Sequence, residues 1–353
     1  MKEAVRQVEI AGHRIGPGQP CFIIAEAGVN HNGNFDLAQQ MVEVAARCGA
    51  DAVKFQTFKA ERLVAPNAPK AGYQLRATLT DESQFEMLRR LELSAAAHRE
   101  LMHHCQKQGL LFMSTPFDEE SADLLQDLGV ALFKIPSGEI TNLPFLAHVG
   151  CKGRPMIVST GMSSLEEVAA AVRTIEEAGN RDLILLHCVS DYPANPADAN
   201  LRAMSTMSET FHVPVGYSDH TPGIEVALAA VAMGACVIEK HFTLERNLPG
   251  PDHRASLEPG ELAALVRGIR IVEAALGHGR KEPAASEASA AAVARRSIVA
   301  AHDIPAGARL TGDMLTIKRP GTGLAPAMRS HLVGRIAAQD IPTNTILTWE
   351  MIR

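Results

Sequence analysis

Short hydrophobic segments alternate with longer amphipathic segments along most of the chain. Eight runs rich in Val, Ile, Leu and Phe have the length and composition of buried strands: residues 21–27, 52–58, 110–117, 132–137, 155–160, 183–190, 213–219 and 236–243. Each run is followed by a segment of helical periodicity, such as residues 35–48, 164–178 and 259–276. Eight strand–helix units in about 250 residues predict a (β/α)8 TIM barrel, because continuous apolar strands are typical of a parallel sheet buried on both faces. A doubly wound nucleotide-binding sheet is the competing architecture, but no Gly-x-Gly-x-x-Gly follows the first strand.

The pattern changes after Gly277. Residues 282–294 are rich in Ala, Ser and Glu without a core periodicity, which indicates a linker. The motif at 301–305 (Ala-His-Asp-Ile-Pro) recurs at 338–342 (Ala-Gln-Asp-Ile-Pro), which predicts a compact domain with pseudo-twofold symmetry. We therefore expect a barrel domain at 1–278, a linker at 279–294 and a small C-terminal domain at 295–353.

Composition and charge narrow the class of protein. The chain has 353 residues, of which 46% are hydrophobic and 21% charged, and its net charge is -6. This balance argues against a nucleic-acid partner, because proteins that bind phosphate backbones carry a basic excess. The first residues lack an apolar signal-peptide core and no apolar run approaches the roughly 20 residues needed to span a bilayer, which predicts a cytoplasmic protein with no membrane partner. The six cysteines form no Cys-x-x-Cys pair, so most are expected to be small buried residues in a reducing compartment.

Polar side chains occur at the carboxyl ends of all eight predicted strands, where the active sites of barrel enzymes are built. They are Glu26, Lys54, Gln56, Thr115, Lys134, Ser137, Glu139, Ser159, Thr160, Ser190, Tyr192, Ser218, His220, Glu239 and His241. Lys54 and Lys134 stand inside otherwise apolar strands, and a buried ammonium group requires an anionic partner. With the hydroxyl groups of this set, they predict a site for a phosphate, or for a phosphate and a carboxylate. The alternative is that each lysine pairs with Glu26, Glu139 or Glu239 in a closed structural network.

Two histidines, His220 and His241, end strands that a single predicted helix connects. If these strands are parallel neighbours, both imidazoles emerge at the same end of the barrel. A single strand-end histidine is more often a hydrogen-bonded structural residue than a ligand. Two of them predict a divalent cation site completed by water, a carboxylate and substrate, which suits Mn²⁺ or Mg²⁺ better than a closed zinc site. Asp252, which follows Pro251, is a candidate neighbour of this site, with a simple turn as the alternative.

Three further features carry weaker expectations. Asn34 is expected to cap the helix that follows it. His98, His103 and His104 fall on a polar helix face and are expected to be solvated. The long connection after the second strand, which includes residues 59–80, is either a lid over the barrel mouth or a plain surface insertion.

Seven motifs together resemble the sialic acid synthase family. They are residues 24–33 (Ile-Ala-Glu-Ala-Gly-Val-Asn-His-Asn-Gly), 54–57 (Lys-Phe-Gln-Thr), 114–118 (Ser-Thr-Pro-Phe-Asp), 134–139 (Lys-Ile-Pro-Ser-Gly-Glu), 159–162 (Ser-Thr-Gly-Met), 216–221 (Gly-Tyr-Ser-Asp-His-Thr) and 239–243 (Glu-Lys-His-Phe-Thr). The part from 295 onward resembles that family's antifreeze-like SAF domain, which has a β-clip fold. The resemblance covers essentially the whole chain.

The resemblance implies a metal-dependent condensation of phosphoenolpyruvate with an N-acylated amino sugar of the N-acetylmannosamine type. Phosphate is released and a nine-carbon 2-keto sugar acid is formed. His220 and His241 match the family's metal ligands, with Mn²⁺ expected and Mg²⁺ or Co²⁺ as alternatives. The residues that match its phosphoenolpyruvate site are Lys54, Gln56, Thr115, Lys134, Ser137, Ser159, Ser190 and Ser218.

Four residues match the sugar side of the family's site. Glu26 is implied to handle a proton near the attacked carbon, and Tyr192 and Asp252 to contact the sugar. Arg319, in the basic loop between the two repeats, matches an arginine that reaches the sugar's N-acyl group from the partner subunit. This match implies a domain-swapped homodimer.

The sub-branch is indicated by one departure and two segments. Ser190 stands where members that make neuraminate carry Asn. With residues 70–74 and 140–144, it resembles the bacterial branch that makes N,N'-diacetyllegionaminate from 2,4-diacetamido-2,4,6-trideoxymannose, with N-acetylneuraminate synthesis from N-acetylmannosamine as the alternative. A more distant alternative is a metal-dependent hydrolase on the same barrel, but such enzymes commonly need a His-x-His pair at the end of the first strand, and this chain has none there. Another is a non-enzymatic sugar-binding protein, but such a protein needs neither the lysines nor the histidines.

Overall fold

The protein, described here as a computed structural model, divides into two compact units, Met1–Gly277 and His278–Arg353. The structure describes residues 5–70, 72–77 and 82–353, with the backbone alone at 73, 76 and 77. The division follows Gly277, so the segment predicted as a linker belongs to the second unit. No helix in the described ranges is long and apolar enough to cross a membrane.

Among the described residues of the first unit there are ten strands. A short antiparallel hairpin, β1 (Val8–Ile10) and β2 (His13–Ile15), precedes the barrel. The barrel strands are β3 (Phe22–Gly28), β4 (Ala52–Thr57), β5 (Leu111–Pro116), β6 (Phe133–Ile135), β7 (Met156–Ser159), β8 (Leu183–Cys188), β9 (Val215–Asp219) and β10 (Val237–His241). Their order is β5-β4-β3-β10-β9-β8-β7-β6, and the paired neighbours are parallel. The outer strands β5 and β6 pack side by side, so the sheet forms a nearly closed barrel and the predicted fold is confirmed.

Helices follow the strands, and most of them pack against the outside of the barrel. They are α1 (Phe35–Cys48), α2 (Ala60–Leu63), α3 (Gly72–Ala77), α4 (Gln84–Leu91), α5 (Ala95–Gln108), α6 (Glu119–Leu128), α7 (Leu143–Gly150), α8 (Leu165–Glu177), α9 (Ala203–Phe211), α10 (Glu225–Ala232) and α11 (Pro259–Leu276). Asn34 caps α1 as predicted, because its side chain accepts hydrogen bonds from the backbone N–H groups of Asp36 and Leu37. The long connection after β4 contains α2, α3 and α4, while residues 71 and 78–81 lie outside the described residues.

The hydrophobic core has two layers, one between the helices and the outside of the sheet and one inside the barrel. The inner layer is apolar at the amino ends of the strands, where Phe22, Ile184 and Val237 meet. Because side chains alternate along a strand, Glu239 and His241 share the inward face with Val237. The interior therefore changes from apolar to polar toward the carboxyl ends of the strands.

The expectation that His98 is solvated is wrong. Its side chain is fully buried, with Nε2 2.8 Å from Thr57 Oγ1 and Nδ1 2.9 Å from the carbonyl oxygen of Ser94. His98 lies on the same face of α5 as the buried Leu101 and Cys105, so it belongs to the helix's core stripe. His103 is exposed and His104 is partly exposed.

The six cysteines are free thiols, as their scattered positions predict. Cys21, Cys105, Cys188 and Cys236 are buried, whereas Cys151 is exposed. Burial accounts for most of them as small core residues.

The second unit is built on the internal repeat. It contains α12 (Ala288–Ala294), β11 (Ser297–Ala300), β12 (Leu315–Lys318) and α13 (Arg329–Leu332). Ile304 and Ile341, which occupy equivalent positions in the two repeats, exchange both of their backbone hydrogen bonds at 2.8 Å. Part of the segment predicted as a linker is thus helical, and the two repeats pair with each other.

Candidate active site

A cavity of about 440 Å³ opens at the carboxyl ends of the barrel strands. It brings together thirteen of the predicted site residues: Glu26, Lys54, Gln56, Thr115, Lys134, Ser137, Ser159, Ser190, Tyr192, Ser218, His220, His241 and Asp252. Arg319 is in the second unit, exposed, directly after β12. A larger cavity of about 730 Å³ lies at the amino ends of the strands, but none of its described lining residues is Lys, Arg or His. The lysine and histidine side chains predicted for the site therefore line the smaller cavity.

Lys54 projects from the middle of β4 into this cavity. Its Nζ lies 2.8 Å from Glu26 Oε2 and 3.7 Å from Glu239 Oε2, and it donates a hydrogen bond to Thr115 Oγ1 at 2.9 Å. All four side chains are nearly completely buried. The ammonium group is thus held by two carboxylates and one hydroxyl.

Lys134, from β6, extends the same network across the barrel. Its Nζ donates to Ser159 Oγ at 2.7 Å and lies 3.5 Å from Glu239 Oε1. Ser218 Oγ also donates to Glu239 Oε1, at 2.9 Å. Glu239 therefore bridges the two lysines. The sequence alternative of a paired network is correct for Glu26 and Glu239, and this network also lines the cavity.

Glu139 takes no part in these lysine ion pairs. Its Oε2 accepts a 2.7 Å hydrogen bond from Asn142 Nδ2, next to the start of α7. The 3₁₀ turn that begins at Ser137 carries this carboxylate away from the lysines.

The two carboxylates of the network have opposite pKa shifts. Burial raises the pKa of Glu26 to about 7, against the opposing effect of Lys54. Burial also acts to raise the pKa of Glu239, but Lys134 and Lys54 outweigh it and lower the pKa to about 2. Glu239 is thus a permanent anion near neutral pH, whereas Glu26 is able to hold or release a proton.

The histidines are neighbours, as the predicted adjacency of their strands requires. β9 and β10 pair in parallel, and the ring centroids of His220 and His241 are 5.4 Å apart. His220 Nδ1 donates to the carbonyl oxygen of Val189 at 2.7 Å, which leaves Nε2 with its lone pair. Burial lowers the pKa of both imidazoles, so both are neutral at pH 7. The Tyr192 ring lies 4.2 Å from that of His220.

Asp252 adjoins the second histidine. Its Oδ2 is 4.0 Å from His241 Nδ1, a buried nitrogen that has no hydrogen-bond partner among the residues that the structure describes. Burial raises the pKa of Asp252 to about 6. Buried polar atoms are rarely left without partners, so the unpaired nitrogen marks a place for a ligand. Asp252 is therefore part of the site and not only a turn residue.

The residues around the histidines fit a divalent cation. Neutral imidazoles and carboxyl groups are the side chains from which proteins build sites for divalent cations. Among the described residues, no group of three or more His, Cys, Asp or Glu side chains is arranged to hold a metal ion. An ion held by His220 and His241 would therefore need further ligands from water or substrate.

Cys188 lines the cavity and Gly161 lies beside it, and the sequence analysis assigned a role to neither, although Gly161 falls within the motif at 159–162. Ser137 Oγ accepts a 3.0 Å hydrogen bond from Gly161 N and lies 3.1 Å from Cys188 Sγ. A Cβ atom at Gly161 would collide with Ser190 Oγ and lie 2.8 Å from Cys188 Sγ. The absence of a side chain at Gly161 thus leaves room for three polar side chains beside its Cα atom. Its position two residues beyond a strand-end serine was the available signal.

A buried ion pair is formed by residues next to the two histidines in the sequence, and the sequence analysis did not predict it. Lys240 Nζ lies 2.6 Å from Asp219 Oδ2 and donates to the carbonyl oxygen of Thr221 at 2.5 Å. Asp219 and Thr221 flank His220, and Lys240 precedes His241. The pair therefore fixes the two strand ends relative to each other. The signal was a third lysine within an apolar strand, on the face opposite Glu239.

Comparison with known proteins identifies the family. Residues 41–281 match the NeuB family and residues 295–353 match the SAF domain. The N,N'-diacetyllegionaminic acid synthase of Legionella pneumophila is 50% identical over 341 residues, which are 96% of each chain. The synthase of the same name from Campylobacter jejuni is 48% identical over 92% of this chain and 98% of its own. The crystal structure of N-acetylneuraminic acid synthetase from Leptospira borgpetersenii matches with a TM-score of 0.74 and 38% identity, covering 82% of this chain and 96% of that one.

These matches run through the strands that carry the lysines and histidines and continue into the second unit. They agree with the family indicated by the motifs. The chain therefore belongs to the NeuB family of sialic and legionaminic acid synthases and carries a C-terminal SAF domain.

Proposed function

We propose that the protein condenses phosphoenolpyruvate with 2,4-diacetamido-2,4,6-trideoxymannose, forming N,N'-diacetyllegionaminate and phosphate. The observation that carries this proposal is the juxtaposition, in one cavity, of a lysine and hydroxyl network with two neutral histidines. The relatives from Legionella pneumophila and Campylobacter jejuni support the choice of sugar by their names.

The lysine side of the cavity suits phosphoenolpyruvate, which carries a phosphate and a carboxylate. Lys54 and Lys134 supply the positive charge, and the hydroxyl groups of Thr115, Ser159 and Ser218 already lie within hydrogen-bond distance of this network. The remaining contacts assigned to phosphoenolpyruvate are Gln56, Ser137 and Ser190. An incoming anion competes with Glu26 for Lys54, and Glu26 tolerates this competition because its raised pKa lets it take up a proton.

The reaction needs one proton at the sugar. Carbon 3 of phosphoenolpyruvate attacks the aldehyde carbon of the open-chain sugar, and the aldehyde oxygen becomes a hydroxyl group. Glu26, protonated near pH 7, donates that proton. Carbon 2 becomes cationic, and the anionic Glu239 stabilises it electrostatically. Water adds to carbon 2 and returns one proton to the Glu26 carboxylate. The bond from carbon 2 to the phosphate oxygen then breaks, the second proton of the water leaves with the phosphate, and the remaining oxygen becomes the 2-keto group.

His220 and His241 would hold a divalent cation, with Mn²⁺ the expected ion and Mg²⁺ or Co²⁺ the alternatives. When bound, such an ion supplies Lewis-acid polarisation of a carbonyl group. The hydrogen bond to Val189 orients His220, and burial keeps both rings neutral. Asp252 and Tyr192 contact His241 and are assigned to the sugar; this contact with the histidine supports the assignment.

Arg319 acts on the sugar's N-acyl group from the partner subunit of a domain-swapped homodimer. Support comes from its exposure on the loop after β12 and from its match to the family's arginine. The free thiols of all six cysteines suit a reducing, cytoplasmic compartment.

N-acetylneuraminate synthesis from N-acetylmannosamine is the second candidate. The observation in its favour is the match to the synthetase from Leptospira borgpetersenii. The test is to incubate the protein with phosphoenolpyruvate, Mn²⁺ and each sugar in turn, and to identify the product by mass spectrometry. The proposal expects N,N'-diacetyllegionaminate from the diacetamido sugar, and the absence of any nine-carbon acid from either sugar would overturn it.

A further inference from the structure

The described part of the insertion between β4 and β5 forms one wall of the cavity. Met87 and Leu91 of α4 are buried against Val29 and Phe58 from the barrel mouth. Together with the partly buried Leu63, Leu88 and Phe117, these residues form an apolar cluster separate from the barrel core. The insertion is thus anchored by its own small core.

Polar contacts fasten both ends of this segment. Glu92, directly after α4, pairs with Lys59 at 2.6 Å and accepts a hydrogen bond from the backbone N–H of Ala60 at 2.9 Å. Glu82 lies 3.3 Å from Lys70 Nζ and 2.8 Å from Arg90 Nε. α2 and α4 are therefore held together and against the barrel.

The wall formed by the insertion differs in charge from the rest of the cavity lining. The insertion contributes Leu63, Val64, Gln74, Gln84, Met87, Leu88 and Leu91. None of these described residues is ionisable, whereas the opposite side carries the lysine network and the histidines. The polar groups of the wall are two amides, and Gln84 Nε2 donates to Gln74 Oε1 at 3.4 Å.

The distribution of charge divides the cavity between the two substrates. Phosphoenolpyruvate is small and anionic, so it belongs with Lys54 and Lys134. The aldehyde end of the sugar belongs near His220 and His241. Because the sugar is the larger substrate, its remaining carbons take up the space that the insertion encloses.

We propose that this wall selects the substituents at carbons 4 and 6 of the sugar, an inference that rests on the proposed function. The apolar residues contact a 6-deoxy carbon, and the amides of Gln74 and Gln84 bind a 4-acetamido group. An acetamido group offers one N–H donor and one carbonyl acceptor, which match the acceptor and donor of a glutamine amide. A 6-hydroxyl group against the leucines would lose its hydrogen bonds to water without replacement.

The test uses three sugars that differ one position at a time. They are 2,4-diacetamido-2,4,6-trideoxymannose, 2-acetamido-2,6-dideoxymannose and N-acetylmannosamine. The ratio of kcat/KM for the first two measures selection at carbon 4, and the ratio for the last two measures selection at carbon 6. Because each result is a ratio within one variant, a general loss of activity cancels.

Leu88→Gln tests the apolar part of the wall. It is expected to shift the carbon 6 ratio toward the hydroxylated sugar by about 10-fold or more, with KM for phosphoenolpyruvate unchanged. Leu88→Met, which conserves volume, is expected to keep the wild-type ratio. Leu75→Gln is the matched control, because Leu75 lies on α3, is 49% exposed and is not among the cavity residues.

Gln84→Leu tests the amides and does not depend on the leucine variant folding. It is expected to reduce the carbon 4 ratio by about 10-fold or more, while Gln106→Leu, at an exposed position on α5, leaves it unchanged. If wild-type protein condenses a sugar but neither ratio responds to these variants, the wall does not select the sugar. If wild-type protein condenses none of the three sugars, the proposed function itself fails.

Discussion

Lys54 Nζ lies 2.8 Å from Glu26 Oε2 and 3.7 Å from Glu239 Oε2, so a single buried ammonium group holds two carboxylates. The pKa of Glu26 is raised and that of Glu239 is lowered, although both side chains are buried. The difference arises because Lys134 and Ser218 also contact Glu239. One carboxylate is therefore available for proton transfer while the other remains an anion.

Replacing Glu26 by Gln removes the proton donor while keeping the size of the side chain. We expect kcat to fall by about 100-fold or more, since general acid catalysis contributes on that scale, with KM for phosphoenolpyruvate little changed. Steady-state kinetics at pH 7 measure both quantities. A Glu26→Gln variant with wild-type kcat would exclude Glu26 as the donor.

Replacing Lys54 by Met should reduce stability, because it leaves buried carboxylates without a compensating charge. We expect the free energy of unfolding to fall by about 3–5 kcal/mol.

Gly161→Ala should damage the phosphoenolpyruvate side of the cavity. The added methyl group would push against Ser190 Oγ, Cys188 Sγ and Ser137 Oγ, so we expect KM for phosphoenolpyruvate to rise by about 10-fold. Gly260→Ala, in α11, is the matched control, because a Cβ atom there meets nothing within 4 Å. Equal KM values for phosphoenolpyruvate in the two variants would mean that the close packing of side chains around Gly161 is unimportant for substrate binding.

Acid should destabilise the protein in part through His31. Its Nδ1 accepts a 3.0 Å hydrogen bond from Gly33 N, and burial, assisted by His98 and His253, lowers its pKa to about 4. The unfolded chain takes up this proton near pH 6.5, whereas the folded chain resists it until about pH 4. The contribution to stability is therefore complete above pH 6.5 and is lost as pH falls toward 4, by up to about 3 kcal/mol.

Urea unfolding at pH 7 and pH 5 measures this loss. We expect His31→Gln to flatten the pH dependence and His103→Gln, at an exposed position, to leave it as in the wild type. An unchanged pH dependence in His31→Gln would show that other groups cause the acid sensitivity.

Arg319→Ala should keep metal binding but lose saturation with the sugar, because the arginine is proposed to contact the N-acyl group in trans. Mixing this variant with His241→Ala under conditions of subunit exchange tests the trans arrangement. A swapped dimer forms one complete site from the intact barrel of one chain and the intact arginine of the other, so activity should return. If the arginine acts within its own chain, the mixture stays inactive.

Local sequence pattern was sufficient to predict the barrel and many of the residues that line the cavity at its mouth. Apolar runs bounded by polar residues located all eight strands, and parallel strands in a barrel necessarily bring their carboxyl ends together. His98 was misplaced because its polar side chain masked its membership of the apolar stripe on α5. The different pKa values of Glu26 and Glu239 depend on which lysine reaches which carboxylate, and this follows from barrel geometry and not from spacing along the chain. The cavity face of the insertion was likewise hidden, because it depends on how α4 packs over the barrel mouth.

The central claim is tested most directly by the rate at which phosphate is released from phosphoenolpyruvate in the presence of Mn²⁺. We predict release only when an N-acylated mannosamine sugar is present, with a higher kcat/KM for 2,4-diacetamido-2,4,6-trideoxymannose than for N-acetylmannosamine. The account would be contradicted if neither sugar supported phosphate release, or if phosphate were released at the same rate without any sugar.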